Sequence, residues 1–416
     1  MRPIRTTALL LIGLVTIVTA SCSDSTKDST APITFTAEIH ESPISDAEFY
    51  APPTMTPQAP GVLIRAAVFE SSIAHARGWR VMFTSEGTHE GLLPQTATIE
   101  TGIVLLPNGS GDDRPVAVWG HPTTGIATAC APSRQKVPDG NIAGAQQLID
   151  AGWIVAAPDY EGLGIDGFGP HPYMVGDSLG HSMLDIVRAI EDVPDAKRSD
   201  RVAAYGHSEG GQAALFAGQL AVSYAPELRL TSVAAMAPSG ELDQIFREDH
   251  TTVTGALLGG FLAGSWSKWF HDTNGSVPLD EGFTSESLFD RSSWKLADNI
   301  ATACSVGEPS VIPLWGQIQT ALDAGTFWRR NPGTDAPWSV KLAENSAGQE
   351  PIPAPVLLTV GAADDIVSPA AVAATEARYR DNGTDVTMKT FAGGDHMSGV
   401  SLALTEVLAF MKDAPK

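Results

Sequence analysis

Apolar residues along this chain gather in short, nearly continuous runs. Five of them, at 115–120 (PVAVWG), 152–158 (GWIVAAP), 202–205 (VAAY), 231–237 (TSVAAMA) and 355–361 (PVLLTVG), contain almost no polar residue. A strand with one wet face alternates with period two, so unbroken runs predict strands covered on both faces. Helical patterns separate them at 141–151, 177–192, 212–220, 369–380 and 397–411. This alternation predicts an α/β chain: a mostly parallel central sheet with helices on both faces. Upstream, 79–84 (WRVMFT) and 97–106 (ATIETGIVLL), divided by Gly and Pro turn signals, predict an antiparallel hairpin at the sheet edge. Residues 61–69 open the ordered region, and the proline-rich 33–60 predict an irregular arm wrapped on the body.

The first 21 residues carry Arg2 and Arg5, then an apolar core at 8–18 too short to span a bilayer comfortably, then small residues. This is an export signal. Thr19-Ala20-Ser21-Cys22 is similar to a bacterial lipoprotein box, which makes Cys22 the expected lipidation site and simple cleavage near Ala20 the alternative. Residues 23–31 (SDSTKDSTA) have no apolar face and predict a flexible tether. The expected organisation is a signal at 1–21, tether and arm at 22–48, a first core segment at 49–238, an inserted cap at 239–354 and a second core segment at 355–416.

Against 26 Lys and Arg stand 48 Asp and Glu, a net charge of -22 that repels nucleic acid and anionic membrane surfaces. Membrane attachment is therefore expected only through a lipidated N-terminus, and no protein partner is implied. With Cys22 lipidated, Cys130 and Cys304 remain, and a left-over pair in an exported protein reads as one disulfide. No C-x-x-C or clustered His/Cys spacing points to a metal, and no cofactor is expected.

The chemistry centres on 201–211 (RVAAYGHSEGG). A strand-like run turns through Gly206-His207-Ser208-Glu209-Gly210 into a helix former, the context a G-x-S-x-G nucleophile elbow requires. Glycine on both sides of Ser208 removes side chains that would collide with neighbouring backbone, and the backbone N–H of Glu209, opening the helix, is free to face an oxyanion. The second oxyanion donor belongs to the loop 119–125 (WGHPTTG); Pro122 has no N–H, so the donor is Thr123 or Thr124, Thr123 following the His-Pro turn directly. A nucleophilic serine needs a base and an acid that orients it, in the chain order Ser, Asp/Glu, His. Asp364 follows the strand at 355–361, with Asp365 its competitor, and His396 follows a last strand at 386–391 (VTMKTF). His207 is expected to point away in its tight turn, and His171, His181 and His250 hold weaker positions.

Between 239 and 354 the alternation stops. The insertion holds six of the nine tryptophans (Trp266, Trp269, Trp294, Trp315, Trp328, Trp338) and the small apolar stretch 254–264 (TGALLGGFLAG). It is expected to cap the site with an apolar wall for an acyl chain and glycines that permit movement. Alternatively, the tryptophans form the insertion's own core.

Taken together, the blocks WGHPTTG with CAPS at 130–133, PDYEGLG at 158–164, HPY at 171–173, LDIVRA at 184–189 and GHSEGG resemble the secretory lipase family of α/β-hydrolases, which includes fungal lipases of the A type and exported bacterial enzymes. The resemblance covers the chain from about Phe49 onward. It implies hydrolysis of carboxylic esters, triacylglycerols included, a cap between the sixth and seventh core strands, no metal, the roles given above for Ser208, Asp364 and His396, and a bond from Cys130 to a cap cysteine, here Cys304. Two departures are expected to matter: Pro122, where the family loop commonly reads His-Gly-Thr-Thr-Gly, stiffens the oxyanion loop, and Glu209 narrows or acidifies the site mouth. A prolyl-type serine peptidase shares the fold and triad and stays open, as does a non-catalytic surface lipoprotein. The expected location is exported, as a cell-envelope lipoprotein or a secreted protein.

Overall fold

The structure, a computed structural model, describes residues 36–54, 59–87, 97–109, 111–270 and 281–414. The expected signal at 1–21, Cys22 and the tether as far as residue 35 lie outside the described residues. Among those described, ten strands form one sheet: β1 (Glu38–His40), β2 (Leu63–Phe69), β3 (Ala76–Glu86), β4 (Ala97–Pro107), β5 (Arg114–Gly120), β6 (Ile154–Pro158), β7 (Arg198–His207), β8 (Arg229–Met236), β9 (Val356–Gly361) and β10 (Val386–Phe391), in the spatial order β1-β2-β3-β4-β6-β5-β7-β8-β9-β10. From β6 to β10 every pairing is parallel, while β2, β3, β4 and β6 pair antiparallel.

The apolar runs are buried on both sides because successive side chains leave a strand in opposite directions. Val116, Val118, Val202, Ala204, Val233, Ala235 and Leu358 join one core, and Ala117, Trp119, Ala203, Tyr205, Ala234 and Leu357 the other. Twelve α-helices accompany the described sheet. The first is the short α1 (Asp46–Phe49). Helices α2 (Ala145–Asp150), α3 (Gly176–Ala189), α4 (Glu209–Tyr224) and, after β9 and β10, α11 (Pro369–Asp381) and α12 (Ser398–Asp413) cover the sheet. Helices α3, α4 and α11 supply the first core, α2 and α12 the second.

Two expectations are corrected. The hairpin β3–β4 is not at the edge, because β2 adds antiparallel to β3 and β1 adds parallel to β2. The arm is correspondingly less irregular than its prolines suggested. Buried Arg65 of β2 donates to Glu38 Oε2 at 2.6 Å and to the carbonyls of Phe49 at 2.7 Å and Ala51 at 2.9 Å, tying β1 and α1 to the sheet.

Between β8 and β9 lie α5 (Leu242–Asp249), α6 (Val253–Trp269), α7 (Ser285–Leu288), α8 (Trp294–Ala301), α9 (Trp315–Asp323) and α10 (Trp338–Glu344), which with Ile126, Tyr173 and Met174 form a third core. Trp266 and Trp338 stack inside it at 5.7 Å, with 2° between their planes. Trp315 differs, with 51% of its surface exposed. The glycines of α6 are packing positions. A Cβ on Gly259 would stand 2.1 Å from the Trp328 ring, on Gly260 2.5 Å from Ile300 and on Gly264 2.6 Å from Ala301. Their missing side chains let neighbouring elements close onto the helix.

Within the sheet, Glu100 of β4 is buried, with the Ser85 and Ser182 hydroxyls beside its carboxyl group. Burial, with Glu161 and Asp185 nearby, pushes its pKa well above the usual carboxylate value. An acid whose folded pKa is raised keeps its proton in the folded state while the unfolded chain loses it, so its contribution to stability falls as pH rises above the unfolded pKa. Glu100→Gln removes that titration: its melting temperature relative to wild type should rise between about pH 5 and about pH 8, and a difference independent of pH would refute the assignment.

Candidate active site

The site is built where β7 meets α4. Ser208 sits between them at φ 58° and ψ -119°, a strained conformation for a residue with a Cβ. Three backbone bonds hold it: Ser208 N–H donates to Met236 O at 2.9 Å, and Ser208 O accepts from Ser239 N at 3.0 Å and Gln212 N at 3.1 Å. The flanking glycines are required sterically. A Cβ on Gly206 would lie 2.0 Å from the Gly210 carbonyl oxygen, and one on Gly210 2.0 Å from that of Gly120. Ser208 is 8% exposed and lines a cavity that also receives the edge of His396.

His396 comes from the turn between β10 and α12, and Asp364 from the loop after β9. His396 Nδ1 lies 2.9 Å from Asp364 Oδ2 and 3.0 Å from Oδ1. A carboxylate only accepts, so Nδ1 carries a proton, and in the neutral ring Nε2 is the nitrogen with the free lone pair. Asp364 Oδ1 also accepts from the N–H groups of Ile366 at 3.0 Å and Val367 at 2.8 Å, which aims the carboxylate at the ring. Asp365 faces solvent. Ser208 Oγ makes no hydrogen bond among the described residues, a looseness common in sites without substrate.

His207 departs from expectation. Rather than pointing away, it is buried, donates from Nε2 to the His396 carbonyl at 2.9 Å and packs its ring 4.6 Å from the His396 ring. Burial, and next the charge of His396, pull its pKa down to about 3, so it stays neutral. Its position beside Ser208 was plain in the sequence, but its partner, 189 residues away, was not.

Of the two threonines, Thr123 lines the cavity with Pro122, whereas Thr124 is buried beside it. The N–H groups of Thr123 and Glu209 donate to no acceptor among the described residues. Pro122 O accepts from His121 Nδ1 at 2.8 Å, so the loop is held by a side-chain bond as well as by the proline ring. The Glu209 side chain does not reach the site mouth. It turns inward, with Oε1 2.9 Å from Nε2 of equally buried His171, and so neither narrows nor acidifies the entrance. His171, given little weight from its place before a helix, is the group that makes this possible. His171 O accepts from Ser265 Oγ of α6 at 2.7 Å, linking elbow, loop and helical insertion.

The cavity measures about 300 Å³, and its walls are mostly apolar, with Met174, Ile245, Leu257, Leu258, Phe261 and Trp315 among them. The stretch at 254–264 thus contributes a wall, and of the insertion's tryptophans Trp315 reaches the cavity. Cys130, in the loop after β5, is bonded to Cys304 of the insertion, 174 residues later. No group of three or more His, Cys, Asp or Glu among the described residues is arranged to hold a metal.

Comparison with known proteins places this geometry. Residues 141–269 match the pattern that defines a family described as secretory lipase. A secreted triacylglycerol lipase of Malassezia globosa is 26% identical over 397 residues, spanning 88% of this chain and 78% of that protein. A Mycobacterium tuberculosis protein named as a probable inactive lipase is 27% identical over 245 residues, 53% of this chain and 50% of its own length. Among solved structures, Candida antarctica lipase A in its closed state superposes with a TM-score of 0.70 at 18% identity, covering 88% of this chain and 86% of that one. The fold is that of the α/β-hydrolases, and the chain resembles the secretory lipases among them.

Proposed function

We propose that this chain is an exported serine hydrolase that cleaves carboxylic esters through an acyl-enzyme on Ser208. The observation that carries the reading is the strained elbow at Ser208 opening into the same apolar cavity as a histidine whose far nitrogen is bonded to a buried carboxylate. Ser208 Oγ attacks the ester carbonyl carbon and its proton passes to His396 Nε2. The carbonyl electron pair moves onto oxygen, where the N–H groups of Thr123 and Glu209 receive it. When that pair returns, the bond to the alcohol oxygen breaks and the alcohol leaves with the proton from His396. Water then repeats the sequence, releasing the carboxylic acid and restoring Ser208. Asp364 holds the ring in the tautomer that keeps Nε2 basic and stabilises the imidazolium formed during transfer.

The segment 239–354 is the cap, with Leu257, Leu258 and Phe261 of α6 as the wall against which the acyl chain lies. Export agrees with the printed name of the Malassezia relative, a secreted lipase. Attachment through a lipid on Cys22 is part of the same reading. That one relative is named as inactive makes activity the first property to measure. In this chain the serine, histidine and aspartate are all present at bonding geometry or within one cavity, which favours catalysis over a binding role.

Ser208→Ala should lower turnover of a p-nitrophenyl ester by more than about 10⁴-fold, and Asp364→Asn by about 10⁴-fold, with melting temperatures near that of wild type. Asp365→Asn should stay within about twofold of wild type; a loss there equal to that of Asp364→Asn would reassign the acid.

A cavity of about 300 Å³ lies at the lower end of the range for small-molecule sites. Across p-nitrophenyl esters of about two to eighteen carbons, we expect the optimum below about ten, with weak cleavage of triolein. An optimum at the longest chains with rapid triolein cleavage would instead mean that the cap opens into a longer tunnel.

A further inference from the structure

We infer that Ser305, on the cap, is a positioning residue for the oxyanion donor Thr123. The inference rests on the hydrolase reading above.

The carbonyls of Pro122, Thr123 and Thr124 and the Thr123 hydroxyl are all bonded, whereas the Thr123 N–H is not, among the described residues. The preceding carbonyl, Pro122 O, accepts from His121 in the tautomer protonated at Nδ1, the shorter of that ring's two contacts (2.8 Å, against 3.1 Å from Nε2 to Asp159 O). In a trans peptide the N–H points opposite to the carbonyl of its own plane, so this bond turns the Thr123 N–H away from His121. Thr123 Oγ1 lies 3.0 Å from Tyr173 Oη. Thr123 O accepts from Ser305 Oγ at 2.5 Å, and Ser305 N–H donates to Thr124 O at 2.9 Å. Ser305 therefore grips two successive carbonyls of the oxyanion loop, one with its side chain and one with its backbone.

His121 and Tyr173 approach from the hydrolase body, whereas Ser305 comes from the insertion. Its grip continues on both sides. Cys304 forms an antiparallel bridge with Gly125 and the disulfide with Cys130. Gly125, at φ +122°, allows this approach: a Cβ there would stand 2.7 Å from Cys130 Sγ and 2.8 Å from Ala303 O. The oxyanion loop is thus one edge of a short pairing whose other edge is the cap segment 303–305. The Ser305 hydroxyl is the member of that pairing that touches the carbonyl of Thr123 itself.

An oxyanion donor acts only when aimed at the place where charge develops, and a donor left free to tilt weakens the transition state more than the bound substrate. Ser305 also lines the cavity, so a plain contact with the acyl chain is the competing role. The two roles divide between kcat and KM.

The test uses the full chain as wild type, Ser305→Ala and Ser305→Thr. Turnover of a p-nitrophenyl ester is normalised to serine titrated by a fluorophosphonate, so that unfolded protein does not count. Binding of a trifluoromethyl ketone of matching acyl length is measured in parallel, since its adduct with Ser208 places an oxyanion in the same hole. Ser305→Ala should lose about ten- to a hundredfold in kcat with KM within about twofold, and ketone affinity should fall by the same factor as kcat/KM. Ser305→Thr, which keeps the hydroxyl, should retain both. Unchanged kcat and ketone affinity in Ser305→Ala, or a loss confined to KM, would overturn the inference. A wild-type chain that neither turns over the ester nor takes the fluorophosphonate would overturn the hydrolase reading beneath it, a result distinct from an active wild type with an indifferent Ser305→Ala.

Discussion

The structure turns on the contact of three backbone segments at Gly120, Gly206 and Gly210. There the ends of β5 and β7 and the first turn of α4 approach so closely that a methyl group on Gly206 or Gly210 would lie 2.0 Å from a carbonyl oxygen. The approach forces Ser208 to φ 58°, a strain of roughly 1–3 kcal/mol for such a residue. Neighbouring β8 and α4 sustain it through backbone bonds on both sides of the serine. From this one constraint follow the serine standing clear of the sheet, the free N–H of Glu209 at the helix start and the nearness of the 121–125 loop.

Asp364 and His396 are held by different means, one by its own turn and the other by distant partners. Asp364 and Asp365 are adjacent and chemically identical, yet only Asp364 receives the two backbone N–H groups of its own turn and faces inward. His396 is gripped from two sides, by Asp364 at Nδ1 and by His207 at its carbonyl. A second imidazole so near His396 would oppose its protonation if it were charged. Burial keeps His207 neutral, so it supports the ring without competing for the proton.

The helices between β8 and β9 pack around stacked Trp266 and Trp338 in a core that also takes Ile126, Tyr173 and Met174 from the rest of the chain, and this packing accounts for most of the segment's tryptophans without any ligand. Its working contacts are few: the apolar face of α6, exposed Trp315 and the segment carrying Cys304 and Ser305. Buried Glu209 and His171 add a second link, running from the nucleophile's turn through the His171 carbonyl to Ser265 of α6.

The sheet, its helices and the elbow turn were legible in the sequence because each rests on local chemistry, and so were the loops after strands that carry Asp364 and His396, which the structure brings within hydrogen-bond distance of each other. Doubly buried strands must be apolar throughout, a tight strand-to-helix turn must have glycine at its flanks, and loops after strands announce themselves by turn residues. What stayed hidden depended on partners distant along the chain. The edge position of β1 required Arg65 to meet Glu38, and the stabilising role of His207 required the His396 carbonyl. The packing role of the α6 glycines was not visible in the composition, and only the Trp328, Ile300 and Ala301 side chains against them show it. Likewise a carboxylate beside the nucleophile reads as acidifying until a buried histidine is found turning it inward, as His171 does with Glu209. Local sterics and periodicity are written in neighbouring residues; the direction in which a polar side chain points is decided by the partner that tertiary structure brings to it.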